Sequence, residues 1–123
     1  MTLQELYRSI DGSYDQALRI MRSEKLIGRQ ILKLADSGLL DALSRAASDM
    51  DAAAIFESTH AIKGVCANLG LVRLSEKASG LAEEFRPGSP RRLSDGEAGA
   101  GLAELTELFQ RTLDAIRGYE AGL

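Results

Sequence analysis

Apolar residues recur along this chain in steps of three and four, the spacing of one face of an α-helix. Ile55, Thr59, Ile62, Cys66 and Leu69 form the clearest seam. Leu26, Ile27, Ile31, Leu32 and Leu34 form another, as do Leu39, Leu40, Leu43 and Ala47. Leu74, Ala78, Leu81 and Phe85 follow, then Leu102, Leu105, Leu108, Phe109, Leu113 and Ile116. No stretch alternates apolar and polar residues with the β-branched enrichment of a strand.

Start and stop signals divide the pattern into helices. Thr2 with Glu5 reads as a capping box and predicts a short helix over about 3–10. Asp11-Gly12-Ser13 is a turn, and a short helix follows near 14–19. Ser23 caps a helix reaching about 35, which Asp36-Ser37-Gly38 breaks. A segment over 39–48 leads to Asp51, an N-cap for a helix from Ala52 to about Leu69. Gly70 suits the position after a helix end, because glycine tolerates the left-handed conformation. The next helix spans 71–85. Pro87 and Pro90 mark the sharpest break, and Ser94 with Glu97 opens a last helix whose first turns Gly96, Gly99 and Gly101 weaken. Helices joined by short loops predict an all-α, antiparallel bundle.

The length of 123 residues fits a single domain over 1–123, with a core at about 23–119 and residues 1–20 as cap helices. Apolar residues at 45% and charged residues at 27% place the chain among globular domains rather than disordered ones. A net charge of −3 argues against a nucleic-acid binder, which shows a basic face. The lone Cys66 cannot form an internal disulfide, and one Cys with one His fall short of the four N or S ligands that a structural zinc site takes. Met1-Thr2-Leu3-Gln4-Glu5 lacks a cationic start followed by an apolar run, and no segment reaches membrane-span length. The expectation is a cytoplasmic, free-standing protein with no membrane partner.

Chemistry concentrates in His60-Ala61-Ile62-Lys63-Gly64-Val65-Cys66-Ala67-Asn68-Leu69-Gly70. In a helix His60, Lys63 and Gly64 share one face, while Ile62 and Cys66 turn toward the core. Histidine is the side chain whose ordinary titration range spans neutral pH, so a water-facing imidazole offers a neutral, nucleophilic nitrogen. Lys63 adds a positive charge one turn away. Such a charge is worth about 1 to 4 kcal/mol against an anion at 4 Å, enough to tune a phosphorylated state. Gly64 removes a side chain beside the imidazole and lets a partner approach the backbone.

This stretch resembles the histidine-containing phosphotransfer (HPt) family, whose motif is His-x-x-Lys-Gly with a second Gly six residues on. His60, Lys63, Gly64 and Gly70 match it. The resemblance implies a four-helix bundle with one or two short additional N-terminal helices. It implies that His60 accepts a phosphoryl group, that Lys63 supports the phosphate, and that Gly64 lies in a receiver-docking surface. Ala61, Ala67 and Glu57 are the further docking candidates; Leu71 reads as docking patch or as core. The implied partners are response-regulator receiver domains and a hybrid histidine kinase. The chain would act as a monomeric phosphocarrier rather than an enzyme. It would need no cofactor of its own, with Mg²⁺ only on the receiver.

One departure stands out. Some members place a polar residue on the following helix to hydrogen-bond the histidine. Unbroken register puts Ala82 there and Arg86 one turn on, leaving Lys63, Arg86 or water to orient the imidazole. Arg86 is therefore a further phosphate-supporting candidate. Arg91-Arg92 and Glu83-Glu84 read as solvated surface, and Cys66 as buried filler. The main alternative is a helical adaptor that docks receiver or kinase domains without being phosphorylated. A hydrolase using His60 as general base ranks last, because no nucleophile, metal cluster or phosphate-binding glycine loop accompanies it.

Overall fold

Helix boundaries fall where the sequence supplies caps. The structure, a computed structural model, describes Met1–Leu123. It holds seven helices: α1 (Leu3–Ser9), α2 (Tyr14–Met21), α3 (Glu24–Ala35), α4 (Leu39–Asp49), α5 (Ala52–Asn68), α6 (Val72–Glu84) and α7 (Asp95–Ala121). At α1, Thr2 Oγ1 accepts from the Glu5 N–H (3.1 Å) while Glu5 Oε1 accepts from the Thr2 N–H (2.9 Å). Ser94 and Glu97 repeat this reciprocal arrangement at α7. The three glycines expected to weaken α7 leave it helical from Asp95 onward. That capping box, two acidic residues at the positive end of the helix and the burial of Ala98 and Leu102 outweigh the glycine cost of about 1 kcal/mol each. Gly101 also has a use. A Cβ there would lie 3.1 Å from Leu81 Cδ2, so the glycine lets α6 and α7 approach closely.

The long α7 organises the bundle. Gly38, with φ of +77°, separates α3 from α4, yet both run in succession along α7. Arg117 Nη2 donates to the Ala35 carbonyl at 3.1 Å, and farther along Ser44, Ala47 and Ser48 face Gly99, Leu102 and Ala103. Together α3 and α4 make one column antiparallel to α7. The other two columns are α5 and α6. Ser75 Oγ donates to the Lys63 carbonyl (3.2 Å) between them, and Lys77 pairs with Glu104 (3.4 Å) between α6 and α7. The result is an antiparallel four-helix bundle with α1 and α2 as the additional N-terminal helices.

One hydrophobic cluster runs from Leu3 to Ile116, and every buried side-chain polar atom has a hydrogen-bond partner. Leu71 belongs to this core, which removes it from the docking candidates. Ala82 is buried as well.

One surface reading changes at a bundle end. Glu84 is not solvated: its side chain is 9% exposed. It accepts from the Leu93 and Arg92 N–H groups (2.9 Å each) and from the Arg92 guanidinium, so it ties the proline loop to α6. The Leu93 N–H, then the Arg92 N–H and guanidinium, hold its carboxyl below the usual carboxylate range. At the opposite end α1 and α2 close over the α5–α6 turn. Tyr7 Oη donates to the Leu69 carbonyl (2.6 Å), and the Ser13 N–H donates to the Gly70 carbonyl (2.7 Å). Gly70 has φ of +69°, and a Cβ on it would lie 2.4 Å from the Ser13 carbonyl oxygen. Both its conformation and its surroundings exclude a side chain.

Candidate functional site

Helix α5 is anchored on one side and bare on the other. Ile55, Ile62 and Cys66 are fully buried, and burying each aliphatic side chain contributes about 1.5–3 kcal/mol. Buried Thr59 turns its hydroxyl back to the Ile55 carbonyl (2.8 Å), so this side of the helix carries no open polar group. At 100° per residue the opposite face carries Glu57, His60, Ala61 and Gly64, and all four are exposed.

The His60 imidazole lies against Phe56, one turn earlier. The ring centroids are 5.4 Å apart and the planes 21° from parallel. Phe56 is half-buried and packs on the core. The Arg86 guanidinium carbon stands 5.8 Å from the centre of the same Phe56 ring. That guanidinium grips Glu83 with two bonds, Nη2 to Oε1 at 2.5 Å and Nε to Oε2 at 3.3 Å. Arg86, by hydrogen bonding and by charge, and then the charge of Lys63 hold the Glu83 carboxyl below its ordinary range. Lys63 therefore shares this flank. It is half-buried on the α6 side of α5, with its carbonyl held by Ser75.

The fold thus brings His60, Lys63 and Arg86 to one flank, although Arg86 lies just beyond the end of α6. Lys63 and Arg86 supply two cations on this flank, with Glu83 and the exposed Glu57 as the nearby carboxylates. Gly64 adjoins it on open ground, since a Cβ there would meet nothing within 4 Å. Ala61 is exposed and Ala67 half-buried on the same side, with exposed Glu57 one turn before. Ala61, Gly64 and Ala67 are the small residues on the imidazole's side of α5.

Two residues at this site escaped the reading of the sequence. Phe56 sits four residues before His60, a spacing at which helical side chains meet, so the contact was available from periodicity. Glu83 is exposed, as its reading as surface expects, and its i,i+3 relation to Arg86 is the local sign of the pair. Cys66 takes no part. Burial pushes its thiol up to about 12, which keeps it protonated and unreactive. No group of three or more His, Cys, Asp or Glu side chains converges to hold a metal ion. No helix is long and apolar enough to cross a membrane.

A family model described as Hpt domain matches residues 29–118. No curated protein and no solved structure matches the chain. The matched span begins within α3 and ends near the close of α7, so it takes in the four columns and the face carrying His60. An outward histidine on a bundle of this architecture, inside a match covering well over half the sequence, places the chain in the Hpt domain family.

Proposed function

We propose that this protein is a phosphocarrier that holds a phosphoryl group on His60 between receiver-domain aspartates. Membership of the Hpt domain family points to histidine phosphotransfer in phosphorelays, with receiver domains as interaction partners. The observation that carries the specific reading is the exposed imidazole at mid-α5, with Lys63 one turn on and open space at Gly64.

The transfer is a displacement at phosphorus. A neutral ring nitrogen of His60 directs its lone pair at the phosphorus of an aspartyl phosphate. An N–P bond forms, the aspartyl O–P bond breaks, and the aspartate leaves as carboxylate with the bonding pair. The second ring nitrogen keeps its proton. Lys63 offsets the incoming charge from one side, and Arg86 is the further cation within the cluster. The return transfer to a second receiver reverses these bonds. The divalent cation belongs to the receiver, and the chain supplies the nucleophile, the charge and the docking face. Gly64, Ala61, Ala67 and Glu57 form that face. The chain works as one monomeric unit in the cytoplasm.

The test is transfer from a receiver domain carrying labelled aspartyl phosphate. The wild-type chain should acquire acid-labile, base-stable label, and His60→Gln should acquire none. Label persisting on the variant overturns the assignment of His60. Binding of the receiver with no label on the wild-type chain replaces the carrier with the adaptor reading.

A further inference from the structure

An exposed histidine on a helix is free to populate several rotamers, and each unproductive one lowers the fraction ready for in-line attack. Here no side-chain hydrogen bond within the chain restrains the ring, and Ala82, the α6 position that register assigns to it, is buried and has no polar side-chain atom. What does touch the ring is Phe56, nearly parallel to it at 5.4 Å. Phe56 is itself set from two sides. Its inner edge packs on the core, and the Arg86 guanidinium stands at its ring. Arg86 in turn is held by the two-bond grip of Glu83 from the last turn of α6.

We propose that Phe56, held by the Arg86–Glu83 pair, is the residue that positions the His60 imidazole for phosphoryl transfer, by stacking in place of a hydrogen bond. This rests on the carrier reading above. Stacking differs from hydrogen bonding in one consequential way. It fixes the plane of the ring while leaving both nitrogens without an internal partner, so neither lone pair is tied up by the protein. Glu83 has a second effect on the same flank. By occupying Arg86, it keeps that cation at the Phe56 ring before any phosphoryl group arrives. Phe56, Arg86 and Glu83 are positioning residues: they act through the orientation of another side chain.

Three variants test this. Phe56→Leu keeps an apolar side chain but removes the ring, Phe56→Tyr keeps the ring, and Glu83→Gln keeps the shape but removes the charge that holds Arg86. Two readouts are needed. The first is the chemical shift of the His60 ring protons in the unphosphorylated protein, where a stacked aromatic ring produces an upfield displacement. The second is the single-turnover transfer rate at saturating phosphorylated receiver, measured beside the receiver Kd. Phe56→Leu should lose the upfield displacement and slow saturated transfer by about three- to tenfold, the range of an aromatic pair interaction, with Kd unchanged. Phe56→Tyr should restore both. Glu83→Gln should give a smaller change in the same direction.

Unchanged ring shifts in Phe56→Leu, or a slower rate that comes wholly from a weaker Kd, would overturn the proposal. So would a Tyr variant that behaves like Leu. The shift measurement involves no phosphate, so it judges the stack even if His60→Gln disproves the carrier. Ring shifts that respond while the saturated rate does not would overturn the positioning role and leave the carrier reading in place.

Discussion

Gly64 and Gly70 belong to one short motif six residues apart, yet the fold treats them in opposite ways. A side chain at Gly64 would point into open space. One at Gly70 would collide with the Ser13 carbonyl at 2.4 Å and crowd Ala17, on a backbone already in the left-handed region. Gly70 is required by the domain itself, because α2 lies directly on it. Gly64 is required by nothing inside the domain. Gly28, Gly80, Gly99 and Gly118 lie in helices with equally open surroundings, so a recognition role for Gly64 rests on its place beside His60 in the proposed docking face. The contrast separates what the motif does for folding from what it is proposed to do for recognition.

Three substitutions probe this contrast. Gly70→Ala should have the largest effect. The left-handed backbone alone costs about 1–2 kcal/mol with a side chain, and the clash adds to it. A total loss above about 2 kcal/mol should lower Tm by roughly 10 °C or more, as read by circular dichroism. A variant as stable as wild type would mean that α2 does not sit on this turn.

Tyr7→Phe comes next. It removes the donor to the buried Leu69 carbonyl while keeping the ring, and should cost about 1–2 kcal/mol in urea unfolding. A negligible change would show that α1 contributes little to closing this end.

Gly64→Ala should have the smallest effect on stability, and of opposite sign. It should gain about 0.5–1 kcal/mol, because alanine is the better helix former and has room. Receiver docking should nevertheless weaken by about tenfold, the cost of an extra methyl in a packed contact. A variant that is both more stable and fully competent to dock would remove Gly64 from the recognition surface.

The match between sequence and structure follows the range of the interactions involved. The seam Ile55, Thr59, Ile62, Cys66 and Leu69 is buried as its spacing predicts, and His60 faces outward for the same reason. Both capping boxes form, since each is complete within four residues. Glu84 was misread because its partners lie eight and nine residues on, across a loop whose path depends on how α7 docks. The approach of Arg86 to Phe56 lies outside the reach of local spacing, because it depends on where Arg86 comes to rest after α6 ends.

The sequence by itself determined the helices, their limits, the buried seams and the outward turn of His60. All of these follow from 3.6-residue periodicity and capping chemistry within a few residues. Only the tertiary structure decided that α3 and α4 serve as one column, that Gly70 lies beneath α2, and that the Arg86–Glu83 pair comes to rest at Phe56. Those outcomes join residues that only helix packing brings together, so no local spacing encodes them.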